Sequence, residues 1–239
     1  MKQRLDQALV ARGLVATRSQ AESYIRMGSV LVDGKTAAKP GQMVGEGHEI
    51  VLTAREVYVN RAALKLASVA AALGLDFRGK VVLDVGSSTG GFTEYALRHG
   101  AKKVLAVDVG TNQLHPNLRT EPRVELHEQT DIRNFRTAER IDLVVADVSF
   151  ISLREILPAV AKLASAKTLL AVMVKPQFEA SRSNLKHKGV IKNDKMRREI
   201  LKDFEDWARQ HFVLLDKADS QVAGTKGNLE RFYLLQKSR

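Results

Sequence analysis

From residue 61 onward, short runs of almost unbroken apolar residues alternate with stretches of helical periodicity. This alternation constrains the fold more than any other feature of the chain. The apolar runs cover residues 81–85, 104–107, 124–126, 143–146 and 168–174. A strand that is apolar on both sides must be covered on both faces, which is the condition of a parallel sheet between helical layers. Helices are expected at 61–73, 93–99, 153–164 and 195–210. Residues 212–216 and 232–235 read as two more strands, an antiparallel pair at the sheet edge. The expected fold class is α/β: a Rossmann-like, seven-stranded sheet.

The first sixty residues follow a different pattern. Leu5 and Leu9, with the stop Gly13-Leu14, describe a small amphipathic helix. Ser19 with Glu22 three residues on has capping-box spacing for a second helix, which Gly28 ends. Val30-Leu31-Val32 is a short strand closed by the turn pair Asp33-Gly34. Lys39-Pro40-Gly41 makes another turn, and 49–52 a last strand. The expected organisation is a small α+β module over 1–53, a linker over 54–60 and a larger domain over 61–239.

Composition narrows the functional classes. The chain has 239 residues, no cysteine and a formal net charge of +11. Disulfides and thiol chemistry are therefore excluded. Such a charge points to a polyanionic partner, because neutralising phosphates releases condensed counterions. Aromatics make up only 5% of the chain, too few for recognition by extensive base stacking alone. No apolar region follows the N-terminal charges, and the longest apolar run, 168–174, is too short to span a bilayer. The expectation is a cytoplasmic protein with no membrane contact; the sequence sets no oligomeric state.

The strongest local signal is Asp84-Val85-Gly86-Ser87-Ser88-Thr89-Gly90-Gly91-Phe92, between the first strand and a helix, where doubly wound folds hold nucleotide-like ligands. Its spacing is neither Gly-x-Gly-x-x-Gly nor a P-loop. A carboxylate just before the glycines suits S-adenosylmethionine, which presents an amine and a sulfonium rather than phosphates. Asp108 and Val109 end the second strand, where an acidic side chain can take the two hydroxyls of an adenosyl ribose. Asp131, after the third strand, is a candidate for the adenine amino group. Asp147 and Lys175 end the fourth and fifth strands and so point into the same crevice. Burial beside another cation would free the Lys175 amine to act as a base, with Lys65 the candidate for that cation. Glu230, just before the last strand, could complete the set.

These residues carry a family resemblance. Residues 84–93, Val107-Asp108-Val109-Gly110, 146–153, Lys175-Pro176-Gln177-Phe178-Glu179 and Gly227-Asn228-Leu229-Glu230 resemble the FtsJ-like ribose 2′-O-methyltransferases. Over nearly its full length the chain is similar to the TlyA-type rRNA methyltransferases, which often carry the name haemolysin. Its start resembles an S4 RNA-binding domain through Arg4-Leu5-Asp6, Gly13-Leu14, Arg18-Ser19, Gly28-Ser29-Val30 and Val32-Asp33-Gly34-Lys35. The resemblance implies S-adenosylmethionine as cofactor, no metal, and ribosomal RNA or ribosomal subunits as partner. It also implies a Lys65-Asp147-Lys175-Glu230 tetrad in which Lys175 takes the proton from a cytidine 2′-hydroxyl. Two departures are visible. Asp131 stands where many relatives have Asn, and the linker lacks the Arg-x-Trp-type tetrapeptide of some members.

Arg4, Arg18, Arg26 and Lys35 form one candidate phosphate-binding surface, and Arg182, Lys186 and Lys188 a second, in a basic segment after the fifth strand. Two other classes compete. A membrane-active haemolysin would need an apolar or large amphipathic segment, which the sequence lacks. A non-catalytic RNA-binding assembly factor would be expected to have a broken tetrad or cofactor loop, and both are intact in sequence.

Overall fold

The computed structural model describes residues 2–54, 58, 60–180, 190–191, 193–224 and 227–238. Its N-terminal part runs β1 (Gln3–Arg4), α1 (Leu5–Ala11), α2 (Arg18–Arg26), β2 (Val30–Val32), β3 (Lys35–Thr36), β4 (Met43–Val44) and β5 (Ile50–Leu52). Strands β1 and β4 pair, and β3, β2 and β5 form a three-stranded antiparallel sheet. Asp33 and Gly34 both have positive φ, +49° and +74°, as a two-residue hairpin with the strand-matching twist requires.

Helix α2 is capped by Thr17 rather than Ser19. The Thr17 hydroxyl accepts from the Gln20 backbone N–H at 3.2 Å, and Gln20 Oε1 accepts from the Thr17 N–H at 2.9 Å. This Thr-x-x-Gln box prevails because both of its side chains reciprocate. Gln20 has a second duty: its Nε2 donates to the Tyr58 carbonyl at 2.6 Å, joining the N-terminal part to the chain entering the larger one.

The larger part runs α3 (Arg61–Ala70), β6 (Val81–Val85), α4 (Gly91–Arg98), β7 (Lys103–Val107), α5 (Pro116–Arg119), β8 (Val124–His127), β9 (Ile141–Ala146), α6 (Leu153–Leu163), β10 (Ala164–Val174), α7 (Pro176–Glu179), α8 (Asp194–His211), β11 (Phe212–Asp219) and β12 (Arg231–Lys237). The sheet order is β11-β12-β10-β9-β6-β7-β8. Strands β6 to β10 are parallel, and β12 is antiparallel to both β10 and β11. The seven-stranded α/β sheet and the small α+β module anticipated above are both present.

Alternation along the strands builds two cores. Val82, Val104, Leu143, Val145 and Met173 face one side with Leu64 and Leu66 of α3 and Tyr95 and Ala96 of α4. Leu83, Val85, Leu105, Val144 and Val172 face the other with Ile156 and Leu157 of α6 and Leu201 and Phe204 of α8. Each such side chain contributes about 1.5–3 kcal/mol on burial. Leu5, Leu9, Tyr24 and Ile25 of the N-terminal part join the first core, so it packs continuously from α1 to the sheet. No helix among the described residues is long and apolar enough to cross a membrane.

Candidate active site

Strand register brings the reactive groups together. Val172 of β10 lies opposite Ala146 of β9, and Val174 of β10 lies opposite Arg231 of β12. Asp147 and Lys175, which follow their strands, and Glu230, which precedes its own, therefore share one edge. It is the carboxyl edge of the parallel strands, beside β6 and β9, where the strand order reverses and open α/β sheets hold ligands.

Two short ion pairs result. Lys65 Nζ, from α3, lies 2.5 Å from Glu230 Oε2, the side chains 8% and 3% exposed. Lys175 Nζ lies 2.5 Å from Asp147 Oδ1 and donates to Ser149 Oγ at 2.7 Å. The sequence reading set Lys65 beside Lys175 as a neighbouring cation. The structure gives each lysine its own carboxylate, because an unpaired ammonium is costly to bury. Lys65, Asp147 and Lys175 line one cavity of about 640 Å³. Gly224 packs so close to Glu230 that a Cβ there would lie 2.4 Å from Oε1, a contact the sequence did not signal.

The glycine-rich turn after β6 lies alongside. Gly86 has φ +79°, and a Cβ on it would sit 2.7 Å from the Asp147 carbonyl, so only glycine fits. Asp108 holds the turn from the neighbouring strand. Its Oδ2 accepts from the Ser88 N–H at 2.8 Å and its Oδ1 from the Gly110 N–H at 2.7 Å. Asn60, which sequence reasoning missed, caps α3 through Ala62 N at 2.8 Å and donates to the Thr89 hydroxyl. The helix that supplies Lys65 is thereby tied to the turn.

A second cavity, of about 470 Å³, is lined by Gly86, Ser88, Asp108, Val109, Asp131 and Asp147, with Ser149 and Phe150 also on its wall. Its volume and its donor set, a carboxylate beside an open glycine backbone, fit a nucleoside-sized ligand. Asp131 is engaged by Arg133, whose Nη2 lies 2.5 Å from Oδ2. That hydrogen bonding holds the Asp131 carboxyl below its usual range. Thr89 lines the other cavity, whereas Asp84, Ser87, Gly90, Gly91 and Phe92 line neither. Phe92 packs against Phe232, ring centroids 5.9 Å apart.

Asp84 is fully buried beneath the turn and accepts from the Thr93 hydroxyl at 2.6 Å. Burial pushes its carboxyl up to about 7, against the opposing Thr93 bond. A folded-state value raised above the unfolded one gives stability that is complete below about pH 4 and is lost as pH rises to about 7. Asp84→Asn should therefore flatten the pH dependence: relative to the parent it gains roughly 4 kcal/mol between pH 4 and 8. Urea midpoints across that range check this, and a constant difference between the two proteins refutes it.

Two further features escaped sequence reasoning. Phe150 is 91% exposed with φ +66°, its ring 5.3 Å from that of Phe178. Glu179 accepts from Ser152 Oγ at 2.6 Å and Leu153 N at 2.8 Å, so the segment after Lys175 caps the helix that follows Asp147. The signal for both lay in the motifs quoted above, but only three-dimensional proximity gives them a partner.

The profile of the FtsJ-like methyltransferase family matches residues 58–238. The chain belongs to that family. The S4 domain profile matches residues 3–50 of the same chain. Over 181 residues the chain is 44% identical to the protein named 23S rRNA (cytidine-2′-O)-methyltransferase TlyA of Campylobacter jejuni, covering 74% of this chain and 70% of that one. Over 239 residues it is 38% identical to the 16S/23S rRNA (cytidine-2′-O)-methyltransferase TlyA of Mycobacterium tuberculosis, covering 98% and 89%. A hemolysin-named structure from Streptococcus thermophilus superposes with a TM-score of 0.73 at 36% identity, covering 99% of this chain and 89% of that one.

In the S4 domain of this FtsJ-like protein, Arg26 and Lys35 are exposed. Arg4 and Arg18 have another duty. Arg4 Nη2 and Arg18 Nε each lie 2.8 Å from Oδ2 of Asp6, which is fully buried. Burial works to raise the Asp6 carboxyl, but these hydrogen bonds and charges together outweigh it and hold the group below its usual range. Arg182, Lys186 and Lys188 lie outside the described residues.

Proposed function

We propose that the FtsJ-like domain transfers a methyl group from S-adenosylmethionine to a cytidine 2′-hydroxyl in 16S or 23S ribosomal RNA, while the S4 domain holds that RNA. The observation that carries this reading is that Asp147 lines both cavities. The nucleoside-sized space and the space before the two lysines thus meet at one carboxylate. The names of the relatives from Campylobacter jejuni and Mycobacterium tuberculosis support the same reaction, RNA and nucleoside. Such a reaction places the protein in the cytoplasm, with ribosomes.

S-adenosylmethionine supplies a methyl group already activated on sulfur, so this chain's own residues have to bind, orient and move one proton. Asp108 would take the two ribose hydroxyls of the donor, and the Gly86 and Ser88 backbone would lie against it. Asp131 would reach the adenine amino group by a lone pair left over from Arg133. Asp147 orients Lys175; once the ammonium of that pair has given a proton to solvent, the neutral amine takes the proton from the 2′-hydroxyl and so makes the oxygen nucleophilic. The Lys65–Glu230 pair sets the field beside that amine.

Asp108→Ala removes the acceptor for two backbone donors as well as for the ribose. It should raise the S-adenosylmethionine Kd by about 10–100-fold, as expected on losing hydrogen bonds to a charged group. Calorimetric titration checks this, and an unaltered Kd counts against the ribose role. The reaction itself is tested by incubating the protein with methyl-labelled S-adenosylmethionine and unmodified small and large ribosomal subunits, then mapping the label. Label on a cytidine 2′-oxygen is expected. Label on a base or on protein, or none on subunits and free rRNA alike, would sink the proposal.

A further inference from the structure

We infer that Ser149 is a positioning residue for the base, a role that rests on the reading of Lys175 given above. An amine that takes a proton must aim a lone pair at it, and a lysine at the end of a flexible four-carbon stem has no intrinsic aim. Here a hydrogen bond supplies the aim: Ser149 Oγ accepts from Nζ at 2.7 Å, while Asp147 Oδ1, 2.5 Å away, holds the nitrogen by charge from outside hydrogen-bond geometry. Once the stem is placed, the amine's remaining freedom is rotation about Cε–Nζ, and one hydrogen bond, that to Ser149 Oγ, fixes it.

The two cavities give each residue a side. Ser149 lines the nucleoside-sized cavity and not the other; Lys175 lines the other and not the first; Asp147 lines both. Ser149 therefore holds the amine from the side of the nucleoside-sized cavity, and the amine stays open to the cavity that Lys175 lines, where a ribose 2′-hydroxyl would enter.

The backbone keeps the hydroxyl in place. Phe150, the next residue, has φ +66°, a conformation large L-residues rarely adopt and one that turns the chain directly after Ser149. Three residues past Ser149, Ser152 donates to Glu179, which lies four residues past Lys175. The segments that carry the two ends of the Lys175–Ser149 contact are thus tied to each other a second time.

Steady-state kinetics of the full chain, with labelled S-adenosylmethionine and unmodified ribosomal subunits, test the role. Ser149→Ala should lower kcat by about 10–100-fold, the scale of a misaimed reacting group, and leave both KM values within about twofold. Ser149→Thr keeps the hydroxyl and should restore kcat to within about threefold of the parent. A parental kcat in Ser149→Ala overturns the inference, as does a Ser149→Thr enzyme no better than Ser149→Ala, since the loss would then follow shape rather than the hydroxyl. Lys175→Ala is measured alongside. If it retains parental kcat, the base assignment fails and this role with it. If it is inactive while Ser149→Ala is parental, only the Ser149 role fails.

Discussion

Lys175→Ala is expected to lower kcat by about 10²–10⁴-fold, the usual contribution of a positioned general base. The S-adenosylmethionine Kd should move by no more than about threefold. The Kd has to be measured, because the substitution strips Asp147 of the cation 2.5 Å away and Asp147 also lines the nucleoside-sized cavity. Methyl-transfer assays and calorimetric titration separate the two effects. A variant that binds the donor as the parent does and transfers nothing is the expected result. A variant that still transfers at near-parental rate would move the base elsewhere.

Glu230→Gln should have the largest effect on stability. It leaves Lys65 buried beside an amide in place of a carboxylate, and breaking a buried ion pair at one partner costs about 3–5 kcal/mol. For a chain of this size that is a fall in Tm of roughly 6–20 °C. Replacing both partners, Lys65→Met with Glu230→Leu, should recover most of the loss without recovering methyl transfer. Thermal melts and activity assays of the three proteins give the comparison. A fall of under about 1 kcal/mol in Glu230→Gln would mean that water relaxes around the lysine and the pair is not a buried one.

Much of this was legible in the sequence because apolar runs and turn chemistry are local. The five parallel strands, the antiparallel pair after them and the glycine-rich turn announce themselves within windows of a few residues. Boundaries were harder where polar residues join an element. Strand β10 begins at Ala164, not at the start of its apolar run, because Thr168 turns inward and donates to the Ile141 carbonyl at 2.7 Å. A register shift between Ala164 and Leu169 absorbs the exposed residues between them. Capping was misread for a related reason: Ser19-x-x-Glu22 and Thr17-x-x-Gln20 have the same spacing, and only the second also reaches Tyr58.

The site divided the same way. Strand ends pointed to Asp108, Asp147 and Lys175, since a residue that closes a parallel strand must reach the carboxyl edge, and Glu230 reaches the same edge by preceding a strand that runs the other way. Which lysine meets which carboxylate was not legible, because the partners are far apart in sequence. Strand register does not decide it either: Arg231 lies opposite Val174, which sets Glu230 nearest Lys175, yet Glu230 meets Lys65 of α3 and Lys175 meets Asp147. Asp84 was legible as important but not as buried. A carboxylate before a glycine turn reads alike in sequence whether it faces a ligand or lies beneath the loop, bonded to Thr93.

Strand β12 follows β10 and β11 in the chain, yet it lies between them and so fills an interior position of the sheet. While a nascent chain still holds those residues in the exit tunnel, β10 keeps an unpaired backbone flank available for misassociation with other chains. The same residues deliver Glu230, which neutralises Lys65. On the proposed role of the Lys65–Glu230 pair, a polypeptide released before β12 emerges is both sticky and inert, so closure of the sheet and competence for chemistry arrive together.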